Sequence, residues 1–251
     1  MDRFYIPSAQ FDLQNLKLTG PEAHHCTSVM RHKTGDQIVV FNGAGHEVMA
    51  EIVSIEKGDL SLKIKNQIKS SPLPFEITLA QAIPKGKNMD VIVQKATEIG
   101  VRSIIPVLSD RTIVQVDTES SDQKTQKWQH VVIEAAKQCG TNWIPTVETP
   151  VVLKSFFSHK LPYDLMLIAS LQSDALHFKK VLNRFEEENK GALPKSVLIL
   201  IGPEGDFTPA EISRAKGAGC QPITLGPLVL RSETAAIYAV SILAYELQVL
   251  K

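Results

Sequence analysis

The sequence predicts an α/β protein, in which a largely parallel sheet covered by helices follows a smaller all-β domain. Before about residue 70, short alternating apolar runs are separated by glycine-containing turns, as is typical of paired strands. A proline-containing linker, KSSPLP, follows at 69–74. After Phe75, apolar strands alternate with amphipathic helices, a rhythm that favours a parallel sheet with both faces covered.

The N-terminal part is predicted to form a small β-domain at residues 1–70. Its alternating runs lie at 37–41, 48–55 and 60–64, with turns at 35–36, 42–43 and 58–59. Prolines in the linker lack a backbone donor and restrict the residues before them, so neither strand nor helix continues through it. The second domain is therefore predicted to span 75–251.

Five strand-helix units are predicted in the second domain. The first helix, 88–99, is expected to end at Gly100 as a C-terminal cap. The strands are predicted at 76–83, 103–108, 164–170, 196–202 and 222–225, and the later helices at 122–139, 174–188, 209–216 and 233–250. In such sheets, ligands bind beyond the carboxyl ends of the strands, so the loops that follow the strands are the places to search for a site.

Composition excludes several classes of protein. Lys plus Arg and Asp plus Glu total 27 each, so the chain lacks the basic excess of a protein that coats nucleic acid, and an RNA site must be a local patch. The three cysteines, Cys26, Cys139 and Cys220, show no disulfide or zinc spacing, so no metal is expected. With neither a signal segment at 1–10 nor a long apolar run, we expect a cytoplasmic protein without a membrane span.

The first motif is LILIGPEGDF at 198–207, where an apolar strand enters a turn rich in glycine and proline. Gly202 and Gly205 permit close backbone approach, which suits a loop around a small molecule, and Glu204 can accept hydrogen bonds. The alternative is a tight turn with a solvated acid. The next residues, TPAE at 208–211, form a capping box that starts a helix.

The second motif is LGPLVLRSETA at 225–235, where a loop meets a long apolar helix with Ser232 as the expected N-cap. Arg231 stands beside the helix N-terminus, an arrangement that favours an anion. The alternative is that Arg231 pairs with Glu233 or a neighbouring acid and that the cap only shapes the helix.

Together the two motifs resemble the C-terminal signature of the RsmE family, the 16S ribosomal RNA uracil-N3 methyltransferases of the SPOUT superfamily. The resemblance covers nearly the whole chain. It extends to QAIPKGKNMD at 81–90, QKATEIGV at 94–101, Asp110-Arg111, EAAKQCG at 134–140, and His24-His25, VMR at 29–31 and Gly35-Asp36 near the N-terminus.

The resemblance implies a PUA-like β-barrel followed by a SPOUT domain with a deep C-terminal trefoil knot, an S-adenosylmethionine cofactor and a homodimer. It places the cofactor against backbone groups of two loops, with Gly202, Glu204 and Gly205 in the first loop and Leu225, Gly226 and Leu230 in the second. It also implies that the substrate is a uridine in the decoding region of 16S rRNA, within the 30S subunit or a late precursor. Asp206, Thr141 and Leu228 depart from the family's pattern, and a carboxylate at 206 is compatible with the cofactor loop if it points to solvent.

Methylation at uracil N3 requires loss of the N3 proton and in-line approach to the methyl group, so positioning is a large part of catalysis. We expect Arg231 to stabilise negative charge on the uracil carbonyls or to anchor a phosphate, and Glu233 or Glu204 to accept the proton. Lys85, Lys87 and Arg111 in loops after strands, and Arg31 in the first domain, are candidate RNA contacts. Solvation is the alternative for each.

Three other functions compete with this one. PKGK at 84–87 before a helix suggests phosphoryl transfer, but the full P-loop spacing is absent. A noncatalytic RNA-binding or ribosome-assembly factor would keep the fold without turnover, and cofactor binding separates it from an enzyme. A SPOUT methyltransferase acting on another RNA position is the third.

Overall fold

A computed structural model describes residues 1–112 and 118–248. The chain forms two compact units. The first is Met1–Pro72 together with Ile133–Ile144, and the second is Leu73–Val132 together with the chain from Pro145 onward. No helix within the described ranges is both long enough and apolar enough to cross a membrane.

The first unit contains a five-stranded sheet with a short helix beside it. Its strands alternate buried and exposed residues, so one face packs on an apolar core that includes Phe4, Leu18 and Ile38. The elements are β1 (Arg3–Tyr5), β2 (Lys17–Leu18), α1 (Gly20–His24), β3 (Gln37–Phe41), β4 (His46–Glu56) and β5 (Asp59–Lys69). β1 runs parallel to β3 and the other pairs are antiparallel, in the order β1-β3-β4-β5-β2.

The second unit is a parallel sheet flanked by helices. The elements are β6 (Glu76–Ala82), α2 (Asn88–Ile99), β7 (Ser103–Leu108), α3 (Thr118–Cys139), whose residues from Ile133 onward belong to the first unit, β8 (Thr146–Val147), β9 (Val151–Val152), α4 (Leu153–Phe156), β10 (Leu165–Ala169), β11 (Leu176–His177), α5 (Phe178–Glu188), β12 (Ser196–Ile201), α6 (Pro209–Gly217), β13 (Gln221–Thr224) and α7 (Ser232–Leu247). The strand order is β11-β13-β10-β12-β6-β7-β8, β9 also pairs with β7, and every one of these pairs is parallel. The predicted α/β class with a parallel sheet is confirmed.

Local signals fixed the ends of several helices. Gly100 caps α2 in the left-handed conformation, with φ 98°, and its N–H donates to the carbonyls of Ala96 and Thr97. Thr208 and Glu211 form the predicted capping box of α6. The predicted N-cap of α7 is wrong: Arg231 is the N-cap and Ser232 is the first helical residue, because the Ser232 hydroxyl donates to a distant carbonyl instead. The predicted end of this helix, Leu250, lies outside the described residues.

The C-terminal part of α3 is held in the first unit by a buried ion pair. Lys137 Nζ donates to Glu22 Oε1 at 3.0 Å and to Glu134 Oε1 at 2.9 Å, and the lysine side chain is only 8% exposed. Burial opposes its charged form, but the hydrogen bonds to the two carboxylates outweigh burial and raise the pKa of Lys137. The pair therefore joins α3 to α1.

We expect Lys137→Met to lower the free energy of unfolding by about 2 kcal/mol, because two neighbouring carboxylates lose their shared cation. Since the pKa of Lys137 is raised, its stabilisation is complete below the ordinary lysine pKa of 10.5 and is lost as the pH rises through the folded value. Chemical denaturation at pH 7.5 checks the first expectation, and a pH series up to about 11 checks the second.

Lys95→Met is the matched control, because Lys95 forms a helical pair with Glu98 at 2.9 Å in which the lysine side chain is 42% exposed, against 8% for Lys137. Such surface pairs contribute below about 1 kcal/mol. Equal losses in the two variants would show that the Lys137 pair adds nothing beyond a surface contact.

Candidate active site

A cavity lies where three neighbouring strands of the second unit end. β13, β10 and β12 are adjacent and parallel, so their carboxyl ends meet at one edge of the sheet. The cavity is partly open to solvent, and the empty space among its lining atoms, open solvent included, is about 560 Å³. It is lined by Ala169, Ser170, Leu171, Ile201, Gly202, Pro203, Glu204, Asp206, Thr224, Leu225, Gly226, Leu228, Val229, Leu230, Ser232 and Ala235.

A buried hydrogen-bond chain joins the segments at one side of the cavity. Ser232 Oγ donates to the Gly202 carbonyl at 2.8 Å and accepts from Gln81 Nε2 at 3.0 Å. The same Nε2 donates to the Ala82 carbonyl at 2.8 Å, and Gln81 is fully buried. The start of α7 is therefore tied to the ends of β12 and β6.

Two carboxylates face the cavity, and backbone N–H groups hold both of them. Glu204 Oε1 accepts from the Lys85 N–H at 2.9 Å. Asp206 Oδ1 accepts from the Phe207 N–H at 2.8 Å, and its Oδ2 accepts from the Leu171 N–H at 3.3 Å. Asp206 is half-buried, and both of its carboxylate oxygens accept backbone hydrogen bonds, so the condition that it points to solvent is not met. Its side chain connects the loop after β12 to the loop after β10.

Five of the six predicted cofactor-binding residues line the cavity: Gly202, Glu204, Leu225, Gly226 and Leu230. Gly205 is outside the lining, and a Cβ built on it would stand 3.3 Å from Arg111 Cδ. The roles assigned to all six residues stay predictions.

The predicted catalytic residues occupy different positions. Glu204 lines the cavity, whereas Arg231 and Glu233 do not. Leu230 and Ser232, the residues on either side of Arg231 in the sequence, do line it. Arg231 is exposed, and among the described residues its guanidinium has no hydrogen bond or ion pair. The alternative pairing with Glu233 is not observed, because Glu233 Oε2 accepts from Asn88 Nδ2 at 3.2 Å.

Two of the four predicted RNA-binding residues contact the loop after β12. Arg111 donates from its guanidinium to the Gly205 carbonyl, and Lys85 donates its backbone N–H to Glu204. Lys87 is the N-cap of α2, and its side chain is exposed. Arg31 is exposed in the first unit and has φ 62°.

Sequence reasoning missed the contribution of β10. Ser170 and Leu171 line the cavity directly after that strand. Ligands are expected beyond the carboxyl ends of parallel strands, and this rule selected the other two loops. It applies equally to the end of the predicted strand 164–170, where it would have found Ser170 and Leu171. Ser232 and Ala235 were missed as lining residues because their helix was interpreted only as a neighbour of the site.

The lining fits a ligand with a flat apolar part and a cationic part. Leucine, isoleucine, valine, proline and alanine side chains supply most of the wall, and the two carboxylates supply its only charges among the described residues. No atom lies within 4 Å of the place where a Cβ on Gly226 would stand, so that backbone faces open space. Within the described ranges no three His, Cys, Asp or Glu side chains are grouped to hold a metal.

Comparison with known families matches both parts of the chain. A model described as an RNA methyltransferase domain matches residues 71–244, and a model described as an RNA methyltransferase PUA domain matches residues 18–65. A curated relative from Bacillus subtilis, ribosomal RNA small subunit methyltransferase E, is 31% identical over 100% of this chain and 99% of its own length.

Solved structures show the same similarity. A methyltransferase from Legionella pneumophila in complex with SAM is 34% identical, with TM-score 0.86, over 97% of both chains. A ribosomal RNA small subunit methyltransferase E from Neisseria gonorrhoeae bound to S-adenosyl methionine is 30% identical, with TM-score 0.84, over 98% of both chains. With two family models and full-length relatives in agreement, the chain belongs to the ribosomal RNA small subunit methyltransferase E family, the RsmE family that its motifs resemble.

Proposed function

We propose that this protein transfers the methyl group of S-adenosylmethionine to N3 of a uridine in 16S rRNA. The observation that carries the proposal is the cavity at the carboxyl ends of β10, β12 and β13. Arg231, which is exposed and has no partner within the described ranges, lies between two of the lining residues. The solved relatives from Legionella pneumophila and Neisseria gonorrhoeae hold this cofactor, and the curated relative from Bacillus subtilis is named for the small-subunit RNA.

The cavity residues suit this cofactor. The apolar wall accommodates an adenine ring, and the loop at Gly202–Gly205 and the open backbone at Gly226 allow close approach of main-chain donors and acceptors. Glu204 and Asp206 are placed to attract cationic groups. When bound, S-adenosylmethionine supplies an electrophilic methyl group on a positively charged sulfur.

The protein's contribution to the reaction is to position the base and to manage charge. Uracil N3 loses its proton and gains the methyl group. The Arg231 guanidinium stabilises the negative charge that develops on the uracil carbonyls as the proton leaves. Glu204 is the better placed proton acceptor, because it lines the cavity, while Glu233 is outside the lining and already bonded to Asn88.

RNA binding is assigned to exposed cations. The loops after β6 and β7 contain Lys85, Lys87 and Arg111. Lys85 and Arg111 are bonded to the loop after β12, and we place all three where they can contact phosphates beside the target base. Arg31 serves the same purpose in the first unit, which contains the segment matched by the PUA model. We propose residues 1–70 as the RNA-binding domain and 75–251 as the methyltransferase domain.

We further propose that the protein works as a homodimer and that its C-terminal part is knotted. Leu228 and Val229, lining residues exposed by 73% and 77%, and Tyr245 on α7, exposed by 78%, form apolar surface suited to a second copy. The hydrogen bond from Ser232 to the Gly202 carbonyl supports the knot, because it holds the start of α7 at the end of β12, where the chain of a trefoil knot must return. Sedimentation velocity would show a species of twice 27.7 kDa if the dimer forms.

Labelled methyl transfer to small ribosomal subunits tests the function. The purified protein is incubated with methyl-labelled S-adenosylmethionine and 30S subunits from cells that lack it, and the RNA is analysed by nucleoside mass spectrometry. We expect 3-methyluridine in 16S rRNA. Subunits from cells that contain the protein are the matched control, because their site is already methylated and should accept no label.

The other outcomes separate the competing functions. Label on a different nucleoside would assign another RNA position, and cofactor binding without any transfer would favour a noncatalytic assembly factor. Parallel reactions with naked 16S rRNA and with late precursor particles identify the assembly stage at which the substrate is recognised. Because this substrate is in the cytoplasm, we propose the same location for the protein.

A further inference from the structure

The backbone of Asp206 has a conformation that most residues avoid. Its φ is 59°, in the left-handed region that few residues other than glycine, Asn and Asp adopt. The strain is offset locally, since Asp206 Oδ1 accepts from the N–H of the next residue at 2.8 Å. A Cβ built on Gly202 would stand 3.2 Å from this same oxygen, so the carboxylate packs closely on the end of β12.

Among the described residues, no cation is bonded to this carboxylate. Both described donors to its oxygens are neutral backbone N–H groups, from Phe207 and Leu171. Arg111 is the cation bonded to this loop, but its guanidinium donates to the Gly205 carbonyl. Glu204 likewise accepts from a backbone N–H, so the described cavity lining holds two carboxylates and no Lys, Arg or His. A half-buried charge is screened less than a surface charge, so its field reaches into the cavity.

We propose that the Asp206 carboxylate makes the cavity select the cationic cofactor over its neutral, demethylated product. This inference rests on the proposed function and deepens it. Loss of the methyl group converts a positively charged sulfonium to a neutral thioether, so the net charge of the ligand falls by one in each turnover. An uncompensated carboxylate in the wall therefore binds the substrate form more tightly and weakens retention of the product.

Asp206→Asn tests the charge alone. Asn keeps an oxygen for the Phe207 N–H and tolerates the left-handed backbone, so the loop geometry is retained. Calorimetric Kd values are measured for S-adenosylmethionine, for S-adenosylhomocysteine and for sinefungin, an analogue with an ammonium group in place of the methylsulfonium. We expect the Kd values of the two cationic ligands to rise on the order of tenfold, while that of S-adenosylhomocysteine changes less than about twofold.

Two further variants separate charge from structure. Asp206→Gly relieves the backbone strain and removes both the charge and the bond to Leu171, so it should show the same loss of selectivity even if Asn alters the loop. Asp122→Asn removes an exposed carboxylate on α3 outside the cavity lining and should leave all three affinities unchanged.

Equal weakening of all three ligands, or no change in any of them, would overturn the inference, because Asp206 would then act only as a structural tie or not at all. Failure of the unaltered protein to bind any of the three ligands would overturn the proposed function and this inference together. These two results are distinguishable, because the first requires an intact cofactor site.

Discussion

Arg231→Ala is expected to lower the rate of methyl transfer on the order of 10²- to 10³-fold while leaving the Kd for S-adenosylmethionine within about twofold. The exposed guanidinium has no partner among the described residues, so its removal leaves no unpaired group in the protein. It also lies outside the cavity lining, so cofactor contacts are retained. Single-turnover methylation of 30S subunits and calorimetric cofactor binding measure the two quantities separately.

Two companion variants sharpen this test. Arg231→Lys keeps the charge but loses the planar, bidentate donor geometry, so an intermediate rate is expected. Arg214→Ala removes an exposed arginine from α6, outside the cavity lining, and should leave the rate unchanged. If Arg231→Ala turned over at the normal rate with unchanged cofactor affinity, Arg231 would have no part in the reaction.

Glu211→Ala is expected to lower the melting temperature by roughly 5–10 °C, equivalent to about 2–4 kcal/mol. Glu211 is a buried acid, only 2% exposed, and it serves two segments at once. Its Oε2 accepts from the Thr208 N–H at 2.8 Å, and its Oε1 accepts from the Asp110 N–H at 2.8 Å. Removing the side chain therefore leaves donors unpaired at the start of α6 and in the loop after β7. Differential scanning calorimetry at a fixed scan rate measures the change.

Glu211→Gln should lose about half as much stability, because glutamine retains one acceptor oxygen and also serves in capping boxes. Glu186→Ala, at an exposed position on α5, is the control and should shift the melting temperature by less than about 2 °C. Should the two alanine variants melt alike, the capping box would be only a local feature of α6 without wider influence.

The parts of the fold that were predictable depend on chemistry local in sequence. Gly100 and the Thr208–Glu211 box were identified because the residues that satisfy a helix end lie within one turn of it. The parallel sheet followed from apolar runs such as β12, which is buried on both faces. β1 and β2 were missed because they have only 3 and 2 residues, too few for a period to show.

The outcomes at Ser232 and Asp206 have another cause, namely contacts between residues far apart in the chain. Serine is a common N-cap residue, but the Ser232 hydroxyl instead donates to the carbonyl of Gly202, 30 residues away in the chain. The Asp206 carboxylate is directed inward by the Leu171 N–H, 35 residues before it. Neither partner is detectable from local pattern, so these contacts became visible only in the folded chain.

The division of α3 between the two compact units imposes an order of events during synthesis. The first unit is completed by Ile133–Ile144, including Lys137, which pairs with Glu22. A ribosome that has released only residues 1–72 has therefore not yet supplied the parts that this unit needs. This unit therefore stays incomplete while the first 60 residues of the second unit, Leu73–Val132, emerge. The nascent chain thus acquires the start of the second unit before it can finish the first, and cleavage of the mature protein at residue 72 would release a fragment without its own stabilising segment.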